Sequence, residues 1–322
     1  MKVAVTGSSG LIGTALTASL RADGHQVVRL VRRPPRADGE RAAGDSTASD
    51  RAASEVRWDP RAADAGDPPL SGVDAVVHLA GAGVGGHRWT PSYKAEIRAS
   101  RVLATTALAT ALANTGLAAA QPRPKTFITA SGIGWYGDTG GREVTESTPA
   151  GKAFLSRVVH DWEAAADPAR AAGIRVAHVR SGLVLGAGGG VLGRLAPPAR
   201  FGLLPRFGNG HQVMSWIALT DEIRAIRFLL DGPGADERTG PYNLTAPNAV
   251  TNGELTAALH AAFRRPDFPW LRVPAPLLKL GLGEMSSELL TSARVLPARL
   301  LEAGFEFSYP TIGAALAAEL PR

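Results

Sequence analysis

The sequence contains no cysteine in 322 residues, which excludes disulfides, thiol nucleophiles and thiolate metal ligands. No two of its seven histidines are spaced as ligands on one helix face, so we predict no metal site. It also lacks an uncharged apolar run of ~18–20 residues, the length that a membrane-spanning helix needs. The first predicted strand begins at Lys2, which leaves no room for a signal peptide. We therefore expect a cytoplasmic location and no membrane partner.

Positive charge is in excess but is not concentrated. The net charge is +6, and Arg outnumbers Lys by 30 to 5. Nucleic-acid-binding surfaces carry clustered basic residues, often with interleaved aromatic residues. Here the only adjacent basic pairs are Arg32-Arg33 and Arg264-Arg265. We therefore predict no nucleic-acid partner, and we expect a small-molecule partner and a monomer or homodimer.

A glycine-rich stretch near the N-terminus indicates a function. The apolar run Val3-Ala4-Val5 passes through Gly7, Gly10 and Gly13 into a segment with helical apolar spacing. In such a strand-to-helix turn the first glycine permits a tight turn, the second lets a pyrophosphate approach, and the third lets the helix pack on the strand. The spacing is GxxGxxG rather than GxGxxG, and an ordinary glycine-rich turn is the alternative. The strand and helix on either side favour a dinucleotide site, with the phosphates at the helix N-terminus.

The second predicted strand, residues 25–31, lacks a terminal acidic residue of the kind that would bind the ribose 2′-OH of NAD. Arg32 and Arg33 follow it instead. A guanidinium group pairs naturally with the 2′-phosphate of NADP(H). The sequence therefore favours NADP(H), and a solvated basic turn is the alternative.

Strands and helices then alternate along the chain. The predicted strands cover residues 56–60, 74–81, 125–131 and 174–180, and the predicted helices cover residues 91–114 and 153–172. This alternation predicts a Rossmann-type α/β fold with a doubly wound parallel sheet.

The pattern changes after residue 186. Residues 186–210 are rich in glycine and proline and lack a period, whereas a helix at 218–230 and a strand at 242–244 restore the earlier pattern. We predict an NADP-binding Rossmann domain of residues 1–186, to which residues 217–247 return. Residues 187–216 and 248–322 are predicted to form a smaller substrate or cap region over the carboxyl edge of the sheet.

Short motifs spread from end to end of the chain carry a family resemblance. Besides the three glycines, they are Trp58-Asp59-Pro60, His78-Leu79-Ala80-Gly81, Arg88-Trp89, Ser100-Arg101, Trp162-Glu163-Ala164-Ala165, Arg180 to Gly186, Arg294-Val295-Leu296-Pro297 and Gly304-Phe305. Together they resemble the extended and atypical short-chain dehydrogenases/reductases, specifically the epimerase-like family whose founding names refer to a SulA-type cell-division inhibitor. Members of this family mostly lack an assigned substrate.

The resemblance implies a set of cofactor-binding residues for NADP(H). They come from the glycine turn, the end of the second strand, the end of the fourth strand, the helix after it and the segment after the sixth strand. In this sequence they are Gly7, Ser9, Gly10, Leu11, Ile12, Gly13, Val31, Arg32, Arg33, Leu79, Ala80, Gly81, Glu96, Arg101 and Val184.

The catalytic triad of the wider superfamily is missing. Relatives use a Tyr as acid/base, a Lys four residues later and a Ser or Thr near the end of strand five. Those positions hold Phe154, Val158 and Gly132 here. Ser131 and Tyr136 carry the hydroxyl groups nearest to these positions. For both residues we favour a structural role over a catalytic one.

Two basic residues are candidates for binding an anionic substrate group. Arg88 and Lys94 flank the start of the helix predicted over residues 91–114, although a solvated helix face explains them equally well. The leading interpretation is an NADP(H)-dependent oxidoreductase or nucleotide-sugar-epimerase-like enzyme of unknown substrate. The alternative is a non-catalytic NADP(H) sensor or regulator linked to cell division, and the missing triad favours it.

Overall fold

A seven-stranded parallel sheet forms the centre of the computed structural model, which describes residues 1–32, 55–62, 66–115 and 124–320. Its strands are β1 (Lys2–Thr6), β2 (Gln26–Val31), β3 (Glu55–Arg57), β4 (Ala75–His78), β5 (Thr126–Gly132), β7 (Arg175–Ser181) and β12 (Gly240–Leu244). They lie in the order β12-β7-β5-β4-β1-β2-β3. The chain thus starts in the middle and winds outward in both directions, which confirms the Rossmann-type fold.

Short strands pair outside this sheet. They are β6 (Glu143–Val144), β8 (Leu183–Leu185), β9 (Arg206–Phe207), β10 (Val213–Met214), β11 (Trp216–Ala218), β13 (Val250–Thr251), β14 (Arg272–Val273) and β15 (Arg294–Val295). The pairs are β8 with β11, β9 with β14, β6 with β15, and β10 with β13.

Helices cover both faces of the sheet. They are α1 (Leu11–Ala22), α2 (Pro91–Thr115), α3 (Phe154–Ala164), α4 (Asp167–Ala171), α5 (Leu192–Arg200), α6 (Leu219–Leu230), α7 (Asn252–Ala262), α8 (Ala275–Leu282), α9 (Ser286–Leu290), α10 (Ala298–Glu302) and α11 (Ile312–Glu319). Short 3₁₀ turns lie at Ile133–Trp135, Ala235–Glu237 and Gly283–Met285. No helix in the described ranges combines the length and apolarity that a bilayer crossing requires.

Three apolar clusters follow this layering. Leu16 of α1 and Ile226 of α6 pack on one face of the sheet, whereas Leu108 of α2 packs on the other. A third cluster, which includes Trp216 and Leu316, joins α5, α7 and α11 beside the sheet. Each face of the parallel strands is therefore covered, as their near-continuous apolar sequence requires.

Two segments differ from the sequence prediction. The single helix predicted over 153–172 is two helices, α3 and α4, because the chain turns at Ala165 and Ala166 and restarts with Pro168 in the first turn. The segment 186–210, predicted to be irregular, contains α5. Pro197 and Pro198 lie in its second half and hid the helical pattern, while Leu192 and Ala199 are fully buried and stabilise it by packing. The predicted division into two domains remains a prediction.

Candidate functional site

The glycine turn between β1 and α1 is packed so closely that two of its glycines cannot carry a side chain. Gly7 has a φ of +66°, and a Cβ there would lie 2.6 Å from the carbonyl carbon of Leu79. A Cβ on Gly13 would lie 2.2 Å from the carbonyl oxygen of Gly7. By contrast, a Cβ on Gly10 would meet only Gly7 O, at 3.4 Å. Gly10 is exposed, so this is the point where a ligand can approach the backbone closely.

The N-terminus of α1 is open to an anion. Gly10 is its N-cap, no side chain caps the helix, and no acidic residue lies in its first turn. The first N–H groups of a helix have no partner within the helix and carry partial positive charge. This end of α1 can therefore bind a phosphate group.

A cavity of about 340 Å³ opens beside this turn. Seven residues that the sequence predicts as cofactor ligands line it, namely Gly7, Gly10, Leu11, Ile12, Gly13, Leu79 and Val184. Six further lining residues were not predicted: Ala130, Ser181, Gly182, Leu183, Gly190 and Val191. Ser181 ends β7, and residues 182–183 directly follow it at the carboxyl edge of the sheet. Ligands of this fold class lie at that edge, so the strand pattern offered a signal for these residues. We find no such signal for Gly190 and Val191.

Other predicted cofactor residues lie outside the cavity wall. Val31 is buried at the end of β2, and Arg32 follows it with its side chain exposed. Because β2 is the neighbour of β1, Arg32 lies at the same edge of the sheet as the glycine turn. Ser9 is exposed within that turn. Arg33 lies outside the described residues.

The predicted ligands after β4 and on α2 already have protein partners. The guanidinium group of Arg101 lies against Gly81 and donates to the carbonyl of Ile97 at 3.0 Å. Burial lowers the pKa of Arg101 to about 10, so it stays charged at neutral pH. Glu96 pairs with Arg61 at 2.7 Å. Ala80, which follows Leu79, is partly buried and is not part of the cavity wall.

Both candidate hydroxyls belong to one buried polar network. Ser131 donates to Glu163 Oε1 at 2.6 Å, and Arg180 binds both oxygens of Glu163 at 2.7 and 2.8 Å. The Tyr136 hydroxyl donates to Asn243 Oδ1 at 2.7 Å and accepts from Arg180 at 3.1 Å. Burial raises the pKa of Tyr136 above its ordinary value, although Arg180 opposes the shift. In this arrangement the network binds α3, β5, β7 and β12 together, and neither hydroxyl faces the cavity.

The positions of the missing Tyr and Lys are apolar in structure as well as in sequence. Val158 is fully buried in an apolar cluster with Trp89 and Ile97, and Phe154 packs on the edge of the same cluster. The rings of Phe154 and Trp89 meet edge to face, with centroids 5.1 Å apart. Neither position carries a hydroxyl or a charge, although the ammonium group of Lys94 from α2 lies 4.5 Å from the ring centroid of Phe154.

The two candidate substrate-binding cations contact the C-terminal part of the chain. Lys94 forms an ion pair with Glu284 at 2.7 Å and lies 4.5 Å from the ring centroid of Phe154. Arg88 donates to the carbonyl of Leu280 at 3.2 Å. A substrate anion would have to share these groups or displace their partners. Across the described part of the chain, no group of three or more His, Asp or Glu residues is arranged for a metal ion.

Two family models and several known proteins match this chain. A family model described as the NAD dependent epimerase/dehydratase family matches residues 3–245, and a second, described as a domain of unknown function, matches residues 273–319. An epimerase family protein of Mycobacterium leprae is 43% identical over 315 residues, which cover 98% of this chain and 94% of that protein. The human epimerase family protein SDR39U1 is 34% identical, over 98% of both chains.

Solved structures agree with these matches. The crystal structure of human SDR39U1 with NADPH has a TM-score of 0.83 at 33% identity and covers 99% of both chains. A nucleoside-diphosphate sugar epimerase of Corynebacterium glutamicum has a TM-score of 0.75 at 35% identity; the match covers 99% of this chain and 58% of that one. The fold, the glycine turn and these similarities lead to one conclusion: the protein belongs to the NAD dependent epimerase/dehydratase family.

Proposed function

We propose that this protein binds NADP(H) along the glycine turn and acts as an oxidoreductase or epimerase-like enzyme on a small polar substrate. The observation that carries the proposal is the uncapped N-terminus of α1 beside an exposed Gly10, with the cavity in front of it. Human SDR39U1, 33% identical over 99% of the chain, was crystallised with NADPH, which supports the same choice of cofactor.

The residues present fit this cofactor. The backbone around Gly10 leaves room for a pyrophosphate, and the first N–H groups of α1 would bind it. Arg32 would bind the 2′-phosphate from the end of β2. Leu79, Ala130 and residues 182–184 would contact the nicotinamide half with apolar and backbone groups. Bound NADP(H) would supply or accept a hydride at a substrate carbon.

A binding titration tests this proposal. Gly10→Val should abolish NADPH binding while the protein keeps its fold, because the added side chain points into open space rather than into the core. The control is Gly313→Val on α11, where an added Cβ would meet no atom within 4 Å, whereas on Gly10 it would meet only Gly7 O at 3.4 Å. It should leave NADPH affinity unchanged. Wild-type NADPH affinity in Gly10→Val would show that the phosphate site is elsewhere.

A non-catalytic NADP(H) sensor is the second candidate. The apolar side chains of Phe154 and Val158 favour it, because neither can act as the acid, the base or the pKa-lowering group of the usual chemistry. The two candidates differ in one measurable respect. An enzyme bound to NADPH would consume it in the presence of reactive carbonyl compounds, whereas a sensor would change conformation without consuming it.

A further inference from the structure

A serine and a buried glutamic acid form a pair at the wall of the cavity. Ser181 lies at the end of β7 and lines the cavity. Its hydroxyl is 2.6 Å from Oε1 of Glu222, in the first turn of α6. Glu222 has no solvent exposure, and its Oε2 has no hydrogen-bond partner among the described residues.

Ser181 lies next to the position that the superfamily's serine would occupy. In the sheet, Ser181 of β7 is the register partner of Gly132 of β5. Gly132 is extended, with φ −165° and ψ 156°, so the alternation of side chains continues through it. Register partners in a parallel sheet share a face, and neighbouring strands are ~4.8 Å apart. The preceding pair, Ser131 and Arg180, turns to the opposite face and binds Glu163. A hydroxyl is therefore present one strand away from the vacant position.

Glu222 holds a proton at neutral pH. Burial raises its pKa to about 8, although the Ser181 hydrogen bond opposes the shift. An ionised carboxylate at zero exposure would leave Oε2 charged and without a partner, which is far more costly than a neutral carboxyl. The 2.6 Å separation fits a hydrogen bond in either direction. When Oε1 carries the proton, Glu222 donates and the Ser181 proton is free to turn toward the cavity.

Charged groups around α6 face away from Glu222. On α6, Asp221 binds the N–H groups of Ser308 and Tyr309, Arg224 binds Asp221, and Arg227 binds Asp23 and Asp231. Glu319 of α11 accepts from Thr220. The other titratable groups on elements packed against α6 lie at its far end or on the far face of the sheet: Arg21, Arg175, Asp236, Glu237, His178 and Arg180.

We propose that Ser181 is a proton donor in the cofactor cavity and that Glu222 is the positioning residue that holds and returns its proton. The proposal rests on the assignment of this cavity to NADP(H). In this arrangement the Ser181 hydroxyl and the neutral Glu222 carboxyl, on the α6 side of the sheet, would take the place of the missing Tyr and Lys. It predicts activity toward substrates whose reduction ends on oxygen, such as reactive dicarbonyls.

The proton balance is simple. As a carbonyl carbon gains a hydride, its oxygen takes the proton of the Ser181 hydroxyl, and Ser181 takes the proton of Glu222 Oε1. The carboxylate is reprotonated through the same hydroxyl by solvent after the alcohol leaves. The net change is one carbonyl compound, one NADPH and one proton converted to one alcohol and one NADP⁺.

Infrared difference spectroscopy tests the pair without requiring turnover. The wild type should show the C=O band of a protonated carboxyl at pH 7, and the band should disappear on titration with an apparent pKa near 8. Glu222→Gln should abolish the component that titrates near pH 8 and leave the contribution of Glu288, whose pKa burial raises to about 7. The matched control is Glu319→Gln. Glu319 also accepts a hydrogen bond from a hydroxyl group, that of Thr220, but it does not line the cavity. This control should keep the band.

Addition of NADPH should shift the band in the wild type, and Ser181→Ala should abolish that shift while retaining NADPH binding. A band that is missing at pH 7 would overturn the proposal. So would a band that does not respond to bound NADPH. Failure of NADPH to bind, measured separately by its fluorescence, would instead contradict the proposed function and remove the basis of the pair's role.

Kinetics provide the second measurement. With methylglyoxal as the probe, Ser181→Ala and Glu222→Gln should each lower kcat by roughly 100-fold, the usual range for loss of a general acid. The double variant should be no slower than either single variant, because the two residues act as one unit. Wild-type rates in either single variant would overturn the donor role. Wild-type turnover no faster than in a protein-free mixture would overturn it as well.

Discussion

At the scale of single residues, Arg32 is expected to determine the choice between NADP(H) and NAD(H). Its side chain is exposed at the end of β2, beside the glycine turn. A charge-assisted hydrogen bond contributes ~1.5–3 kcal/mol, so Arg32→Ala should weaken NADPH binding roughly 10- to 100-fold. NADH binding should hardly change, because NADH lacks the 2′-phosphate.

Fluorescence titration of both cofactors checks this prediction. Arg272→Ala is a suitable control, because Arg272 is also exposed but lies in the C-terminal part of the chain, where it donates only to the carbonyl of Pro269. It should change neither affinity. Equal weakening of NADPH and NADH by Arg32→Ala would show that Arg32 does not read the 2′-phosphate.

Ser131, next to last in β5, and Ser181, the last residue of β7, differ sharply in environment. Ser131 is buried and donates to a carboxylate that is already held by Arg180. Ser181 is partly exposed to the cavity, and its carboxyl partner has no cation. The first arrangement keeps its carboxyl ionised, since the pKa of Glu163 is lowered: burial acts to raise it, but the Arg180 hydrogen bond and nearby charges outweigh burial. The second arrangement keeps a proton available, which is why only Ser181 is assigned a chemical role.

At the scale of elements, α3 is built for packing rather than for acid–base chemistry. Val158 is 1% exposed, so Val158→Lys would bury an unpaired ammonium group and should cost more than about 3 kcal/mol of the free energy of unfolding. Gly132→Ser should change stability by less than about 1 kcal/mol, because Gly132 is extended and an added Cβ would come no closer than 3.9 Å to any atom. Urea unfolding of the two variants measures both effects.

The different tolerance of positions 132 and 158 determines how the usual triad could be restored. Gly132 can be replaced by Ser without a steric clash. A Lys in place of Val158 is tolerated only if water can reach the apolar cluster around it. A wild-type urea midpoint in Val158→Lys would show that the apolar cluster around Val158 opens easily, and the full graft with Phe154→Tyr would then become practical.

Sequence patterns predicted the parallel sheet well because strands such as β1 and β4 are short and apolar and are followed by a segment of helical period. They failed at α5, where Pro197 and Pro198 interrupt the pattern and only tertiary packing of Leu192 and Ala199 reveals the helix. Local sequence predicted the glycine turn and about half of the residues that line the cavity. It could not predict the contact between Ser181 and Glu222, because the two residues are 41 positions apart and meet only when β7 and α6 pack.

At the scale of the whole molecule, buried titratable groups of two kinds determine how stability depends on pH. Burial, with a contribution from Arg101, lowers the pKa of His78 to about 3, and burial lowers that of His178 to about 4 although Glu163 opposes it. Burial raises the pKa of Glu222 to about 8 and that of Glu288 to about 7. The folded protein therefore holds both histidines neutral over a wide range of acidic pH, whereas at pH 7 it holds Glu222 largely protonated and Glu288 partly protonated.

The signs of these shifts give opposite slopes. Unfolding lets each histidine take up a proton below its ordinary pKa of 6.5, so acid destabilises the fold until the folded pKa is reached. Unfolding lets each glutamic acid release a proton above its ordinary pKa of 4.5, so stability falls as the pH rises through 7 and 8. Between about pH 4.5 and 6.5 the two effects cancel, which predicts a plateau of maximum stability there.

Glu222→Gln tests the fall in stability on the alkaline side of this pH dependence. Between pH 7 and 8, Glu222 accounts for most of the proton that only the folded state retains, and Glu288, with a pKa of about 7, accounts for the remainder; one retained proton corresponds to about 1.4 kcal/mol per pH unit. The variant should lose most of that slope, so its free energy of unfolding, measured in urea at successive pH values, should decline much less from pH 7 to 8 than that of the wild type. Glu319→Gln should decline like the wild type. A slope in Glu222→Gln as steep as that of the wild type would assign the alkaline decline to another group and would remove the neutral carboxyl on which the Ser181 pair depends.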